Sequence, residues 1–251
     1  MRRVALAAPL LLAAAPSPLL VPDVSDSRVA IVYSFTGAEL LLFGAILYPR
    51  GVTPDRPPDV AVVLKGPTQS ILLRQKRRVA GMWINAESAR FRSAPAFYAV
   101  ASSRPLRRVV DAKTAAIYEL GLDSLQISPA SGVPPAEQSA FENGLVDLQK
   151  RAGLYVEDGT GVTIRDGVLY RARIAIPARV PVGRYTAETF LIQDGRVVAG
   201  AVTPVTIAKS GFERQVADAA RRWSFAYGLV AVAVSLGIGW AAGLPFRRRG
   251  K

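Results

Sequence analysis

The sequence of 251 residues contains no cysteine and no histidine. Without cysteine no disulfide can form, so the fold depends on packing alone even in an oxidising compartment. Without histidine the commonest general base and the commonest transition-metal ligand are missing. Together these absences exclude Ser-His-Asp triads, zinc sites of the usual kind and c-type haem attachment.

Other recognisable catalytic patterns are also missing from the sequence. It contains neither a Gly-x-Ser-x-Gly motif nor a glycine-rich phosphate loop. Lys65 and Ser70 suggest a Ser-Lys dyad only by their proximity in the chain. We therefore predict no catalytic residue, no metal, no cofactor and no enzymatic activity. An enzyme built on Asp, Glu, Ser or Lys alone would need a deep pocket with perturbed pKa values.

The N-terminus has the pattern of an export signal. Arg2 and Arg3 precede an apolar stretch over 4–15, which is too short to span a membrane comfortably. We predict a signal peptide over 1–15, with the exact cleavage site left open because Pro16 follows the small residues. An uncleaved anchor is the alternative.

The C-terminus contains a long uncharged run. Residues 225–246 carry no charge over 22 residues, which as a helix would extend about 33 Å and match a hydrocarbon core of about 30 Å. The basic residues within 247–251 predict a cytoplasmic tail by the positive-inside rule. We expect one transmembrane helix over 225–246, a juxtamembrane helix over 211–223, and a periplasmic N-terminal domain on the bacterial inner membrane. A buried core helix is the alternative.

Small residues recur every four positions on this predicted helix, at Ala231, Ser235, Gly239 and Gly243. Such spacing allows a second helix to approach closely. Because small residues are common in membrane helices anyway, helix packing here is a hypothesis.

The middle of the chain is predicted to be mainly β. Short β-branched and aromatic runs, separated by Gly and Pro, occur over 28–104 and 154–208. Apolar residues at helical spacing predict helices over 106–120 and 135–153. We predict an immunoglobulin-like β-sandwich ectodomain over 24–208 with a helical hairpin inserted at about 105–152. Two small β domains flanking the hairpin are the alternative.

One turn supports the sandwich prediction. The segment Pro181–Tyr185 places Gly183 and Tyr185 after a proline-rich corner, as in the tyrosine corner of immunoglobulin-like sandwiches. An ordinary turn followed by a strand tyrosine is the alternative.

The charge of the chain is +13, with 32 basic and 19 acidic residues. Leaving out the basic residues at the two ends gives 26 basic against 19 acidic residues for the middle. This excess indicates a basic solvated surface or attraction to anions and anionic membranes. Nucleic acid is a poor partner, because an exported domain rarely meets it.

The densest positive charge in the predicted ectodomain lies at 74–78. Arg74, Lys76 and Arg78 alternate, so on a strand they would share one face. That face suits an anion or lipid headgroups, although charged residues also protect strand edges from aggregation. Arg104 precedes a predicted helix, where positive charge is mildly unfavourable. It would contact an anion, a partner or an acidic side chain.

Several short motifs follow one another along nearly the whole chain: Phe35-Thr36-Gly37-Ala38-Glu39-Leu40, Phe43-Gly44-Ala45-Ile46, Asp59-Val60-Ala61-Val62-Val63-Leu64-Lys65-Gly66-Pro67, Gly81-Met82-Trp83-Ile84-Asn85, Phe97-Tyr98-Ala99-Val100-Ala101-Ser102-Ser103-Arg104-Pro105-Leu106, Pro181-Val182-Gly183-Arg184-Tyr185 and Gly239-Trp240. Together they resemble a family of alphaproteobacterial single-pass transmembrane proteins. The resemblance implies an inner-membrane location, a periplasmic domain and genes often found beside sulfite exporters of the TauE/SafE type. The family has no established activity, so the resemblance implies no functional residues.

The sequence leaves two main functional hypotheses. The first is a non-enzymatic accessory protein that supports an integral membrane partner, an anion transporter of the sulfite type, with the lipid bilayer as its other partner. The second is a periplasmic module that binds or senses a small anion through Arg74, Lys76, Arg78 and Arg104.

Overall fold

A computed structural model gives the structure of the protein for residues 18–25, 28–32, 37–49, 54, 56–129, 133–210 and 220–247. The predicted signal peptide over 1–15 lies outside the described residues. So do residues 211–219 of the predicted juxtamembrane helix and residues 248–251 of the predicted tail.

Strands dominate the described part of the chain, as predicted. The strands are β1 (Leu19–Val24), β2 (Arg28–Val32), β3 (Ala38–Leu47), β4 (Asp59–Lys65), β5 (Thr68–Val79), β6 (Met82–Pro95), β7 (Tyr98–Ser102), β8 (Ser128–Pro129), β9 (Tyr155–Asp158), β10 (Val162–Arg165), β11 (Leu169–Ile176), β12 (Gly183–Gln193) and β13 (Arg196–Ser210). The helices are α1 (Leu106–Val109), α2 (Ala112–Tyr118), α3 (Pro135–Arg151) and α4 (Ser224–Arg247), with a 3-10 turn at Leu122–Ser124.

Two sheets form a sandwich. The first has the order β1-β3-β11-β10 and the second the order β2-β13-β12-β4-β7-β9. Strands β1-β3-β11-β10 take the places of strands ABED, and β13-β12-β4 those of GFC, in an immunoglobulin-type sandwich. Strands from before and after the helical region pair directly, β3 with β11 and β4 with β12. Strands from both sides of the helical region therefore belong to the same two sheets.

The first hydrophobic core lies between these two sheets. It includes Leu42 and Ile174 from the first sheet and Val62 and Leu191 from the second, all at most 3% exposed. Tyr185 lies at the start of β12, and its hydroxyl donates a hydrogen bond to the Pro181 carbonyl at 2.7 Å. This bond confirms the predicted tyrosine corner.

A second core covers the other face of the second sheet. Val63, Val100 and Ile192 from the sheet pack with Phe141 and Leu145 of α3, and with the start of the β5–β6 hairpin. Because β4 and β7 are buried on both faces, their sequences are continuously apolar rather than alternating. The molecule therefore has three layers: two sheets, and then helices with the base of a hairpin.

The helix expected over 106–120 is interrupted. Val110 leaves the helical conformation. Asp111 then caps the start of α2, and its side chain accepts a hydrogen bond at 2.6 Å from the backbone N–H of Thr114. Glu119 then ends α2 in the left-handed conformation, with a φ of 52°. Capping residues therefore divide an apolar pattern that looked continuous.

The prediction of one C-terminal transmembrane helix over 225–246 is wrong. Within the described residues, no helix combines the length and the apolar character that a membrane crossing requires.

The small residues of α4 have no packed neighbour helix in the described structure. The Ser235 hydroxyl donates to the Ala231 carbonyl at 2.9 Å, within the same helix, and the space around Gly239 is open. Gly243 lies in α4, but its surroundings fall outside the described side chains. Helix packing through these residues stays a prediction.

Candidate interaction surface

Strands β5 and β6 form a long antiparallel hairpin whose turn is Ala80-Gly81. Both turn residues have positive φ, 49° and 83°, as a two-residue type I′ turn requires. Val79 and Met82 are the last cross-strand pair before the turn. The hairpin is inserted between β4 and β7, two central strands of the second sheet.

The base of the hairpin is anchored in the second core. Phe91 and Ala89 are at most 1% exposed and pack in the same cluster as Phe141 and Leu145 of α3. Beyond the pair of Leu73 and Ala89, every residue of β5 is exposed as far as the turn. Those six residues extend about 20 Å at about 3.3 Å per residue. The distal part of the hairpin therefore projects from the domain into solvent.

One face of this projection carries a cationic stripe, defined here as Arg74, Lys76, Arg78 and Arg90. The first three alternate on β5 and therefore share one face. Arg90 of β6 pairs with Leu72, which lies two residues before Arg74 on that face, so Arg90 also belongs to it. All four are exposed. The prediction that three of these cations share a strand face is confirmed by the register.

The charge of the stripe is not neutralised within the hairpin. Glu87 is the hairpin's one acidic residue, and it accepts a hydrogen bond from Arg77 at 2.7 Å. Arg77 alternates with Gln75 and Val79, so this ion pair lies on the face opposite the stripe. Nothing on the hairpin therefore competes with an external anion for the four cations.

The end of the hairpin is apolar. Val79, Met82, Trp83 and Ile84 are 46%, 67%, 69% and 44% exposed; these four residues are called the apolar tip. Trp83 lies opposite Arg78 and so shares the face of the stripe. The sequence analysis did not identify this tip. Gly81 was the one sequence signal for a turn, and Ala80-Gly81 lacks the Asn-Gly or Asp-Gly pattern that marks a tight hairpin.

Arg104 does not join the stripe. Arg104 lies just after β7, next to the start of β4. The hairpin begins at the opposite end of β4, after its last residue. Its guanidinium makes two hydrogen bonds to the Asp59 carboxylate, one of them 2.8 Å long. Burial alone would raise the pKa of Asp59, but its hydrogen bonds from Arg104 and Ser103 hold that pKa below the ordinary value. The charge of Arg104 is therefore already compensated.

Lys65 is also committed to carboxylates. Its ammonium lies 3.0 Å from Glu119 and 3.2 Å from Glu188. Burial tends to lower the pKa of Lys65, but the hydrogen bond to Glu119 and the nearby charge of Glu188 raise it overall. A lysine held in its charged form cannot act as a general base. The Lys65–Ser70 pair considered in the sequence analysis therefore has no support from this geometry.

Three cavities are alternative sites. The largest, about 490 Å³, lies on the outer face of the first sheet and includes Phe43, Tyr170 and Arg171 in its lining. The others, about 260 and 340 Å³, lie beside α1 and α2 and beside Lys65. None of the three is lined by the cationic stripe. Over the described ranges no cluster of three or more acidic side chains is placed to hold a metal ion.

Two of the comparisons with known proteins, those with curated sequences and with solved structures, are uninformative. No curated protein sequence matches the chain significantly. Among solved structures, the sporulation control protein Spo0M from Bacillus subtilis matches with 8% identity and a TM-score of 0.29. The match covers 83% of this chain and 56% of that one, so the chain spans little more than half of it. This similarity is too weak to support any inference about fold or function.

A family model covers almost the whole chain. The family is described as "Putative transmembrane protein (Alph_Pro_TM)", and its model matches residues 19–248. This match confirms the resemblance stated from the sequence motifs. The chain therefore belongs to the Alph_Pro_TM family.

Proposed function

We propose that the protein is a non-enzymatic accessory protein of a bacterial membrane and that the β5–β6 hairpin is its contact surface. The observation that carries the proposal is the cationic stripe, whose four cations project into solvent with no acid on the hairpin to neutralise them. Such a surface attracts an anionic partner over a distance of about a Debye length. The family description supports action at a membrane.

The partner that we propose is anionic and membrane-associated. From the resemblance of the motifs, an integral membrane anion transporter of the sulfite type is the specific candidate, with the contact made in the periplasm. The anchored base supports this role, because a hairpin held in the second core keeps its geometry while its distal part reaches outward. A contact surface that is already ordered loses less entropy when it binds.

The alternative, a module that binds or senses a free small anion, has less support. Of its four expected residues, Arg74, Lys76 and Arg78 lie together on an exposed ribbon, whereas Arg104 is paired with Asp59. A small anion on an exposed ribbon would stay hydrated and screened by salt. An extended anionic surface contacts all the cations of the stripe at once, which favours the accessory role.

The test is purification of the tagged full-length chain in mild detergent, followed by mass spectrometry of what accompanies it. The hairpin variant combines Arg74→Glu, Lys76→Glu and Arg78→Glu. The matched control combines Arg165→Glu, Arg171→Glu and Arg173→Glu, which reverses three exposed charges on β10 and β11. We expect wild type and control to retain a stoichiometric membrane protein and the hairpin variant to lose it.

Two outcomes contradict the proposal. One is retention of the same partner by the hairpin variant, which would show that the contact lies elsewhere. The other is a wild-type chain that purifies alone under conditions that keep other membrane complexes intact.

A further inference from the structure

The hairpin orders its chemistry along its length in a way that matches a membrane surface. Val79 and Met82 of the apolar tip are outermost, Arg78 lies opposite Trp83 in the next cross-strand pair, and the other cations of the stripe continue towards the domain. A bilayer presents the same order from the inside outward: hydrocarbon, and then a polar and anionic headgroup layer several ångström thick. Trp83 shares the face of the stripe, and tryptophan is the side chain most typical of that boundary.

We propose that the β5–β6 hairpin inserts its apolar tip into the surface of an anionic lipid bilayer while the stripe binds the headgroups. This inference rests on the proposed function and adds the anionic lipid surface around a membrane partner as a contact of the same hairpin. The long stems of Arg74, Lys76 and Arg78 allow their charged ends to stay at headgroup level while the tip enters the acyl boundary. The depth reached by such surface elements is about 5–10 Å, which is about the length of the apolar tip.

The size of the tip favours lipid over a protein pocket. Its four exposed side chains present on the order of 400 Å² of apolar surface, about half of what one partner buries in a standard protein interface. The largest exposed apolar patch of a typical monomer measures about 300–600 Å² and is often functional. A bilayer needs no complementary pocket, so a small apolar tip surrounded by cations suffices.

The number of cations in the stripe sets how strongly the hairpin should bind an anionic lipid surface. Each basic residue near an anionic lipid surface strengthens binding about fivefold at physiological salt. Reversing or removing three cations of the stripe should therefore weaken insertion of the hairpin roughly 100-fold or more. In neutral vesicles only the contribution of the apolar tip is left.

Because α4 is itself apolar, overall binding of the chain to vesicles does not test the proposal, and a local probe is required. The chain has no cysteine, so Met82→Cys gives a single labelling site for a fluorophore that responds to polarity. Ser139→Cys, on an exposed position of α3, is the matched control. Each labelled full-length protein is mixed with vesicles of phosphatidylcholine alone or with one quarter phosphatidylglycerol.

We expect the probe at position 82 to shift to the blue and to be quenched by lipid-borne quenchers in the anionic vesicles. The shift should be lost when Arg74→Glu, Lys76→Glu and Arg78→Glu are added, and the probe at position 139 should not respond. No response at position 82, or an equal response in neutral vesicles, overturns the proposal.

The two proposals can fail separately. If the probe ignores lipid while the charge-reversed hairpin still loses a membrane protein in the purification, the hairpin binds protein and the lipid inference is wrong. If charge reversal changes neither result, the hairpin is not the contact surface.

Discussion

Truncation to alanine should affect the stability of the fold differently at two aromatic residues of β6. Phe91 lies at the base of the hairpin and is 0% exposed, whereas Trp83 lies in the apolar tip and is 69% exposed. Phe91 packs in the second core with α3. If the distal hairpin serves for contact and the base for anchoring, Phe91→Ala should destabilise the fold and Trp83→Ala should leave it intact.

The magnitudes follow from burial. Truncating a fully buried phenylalanine costs about 3–5 kcal/mol, because apolar contacts are lost and a cavity is left. An exposed substitution away from special features usually changes the free energy of unfolding by less than about 0.5 kcal/mol. Since a domain of this kind is stable by about 5–15 kcal/mol, Phe91→Ala would remove a large share of the total.

The assay is urea unfolding of the full-length protein in mild detergent, monitored by circular dichroism at the β-sheet band. Loss of Trp83 does not affect this signal. Phe91→Leu is the control that keeps apolar bulk at the base. A loss of more than about 1.5 kcal/mol for Trp83→Ala would show that the tip is packed. A loss of less than about 1 kcal/mol for Phe91→Ala would refute the anchored base.

Four further predictions concern two tyrosine hydroxyls, one backbone conformation and one carboxylate. Tyr185→Phe should cost about 1–2 kcal/mol, because its hydroxyl bonds to Pro181. Tyr170→Phe should cost less in the same unfolding assay, because the buried Tyr170 hydroxyl has no hydrogen-bond partner among the described atoms. Ala80→Gly should slow amide exchange across the distal hairpin several-fold, because Ala80 has a φ of 49°, which favours glycine. The depressed pKa of Asp59 contributes stability above the unfolded-state pKa of about 3.9. That stability is lost as the pH falls through the folded pKa, so pH titration of the unfolding midpoint should show a smaller acid-side loss for Asp59→Asn.

The architecture could be predicted where local patterns decide it. Alternation placed Arg74, Lys76 and Arg78 on one face, and the proline-rich corner before Tyr185 predicted the bond that the structure shows. The missing cysteine and histidine excluded whole classes of site before any fold was known. These features depend on residue type and spacing alone.

Features that depend on distant parts of the chain could not be predicted. Arg104 finds its acidic partner 45 residues earlier in the sequence, and no local pattern indicates that pairing. The apolar tip was missed because Ala80-Gly81 lacks the Asn-Gly or Asp-Gly signature of a tight hairpin turn. The prediction for 225–246 rested on the length of the uncharged run and on its basic flank, and the described part of α4 does not support a span.

The most direct test of the central claim is photo-cross-linking from the hairpin in native membranes. A photoreactive phenylalanine analogue is placed at Trp83 in the full-length chain, and at Ser139 on α3 as the control. We expect adducts with lipid or with a membrane protein from position 83, and none from position 139. The adducts from position 83 should weaken when Arg74, Lys76 and Arg78 are changed to glutamate. The absence of adducts from position 83, or adducts that are unaffected by the charge changes, would contradict the claim that the hairpin is the contact surface.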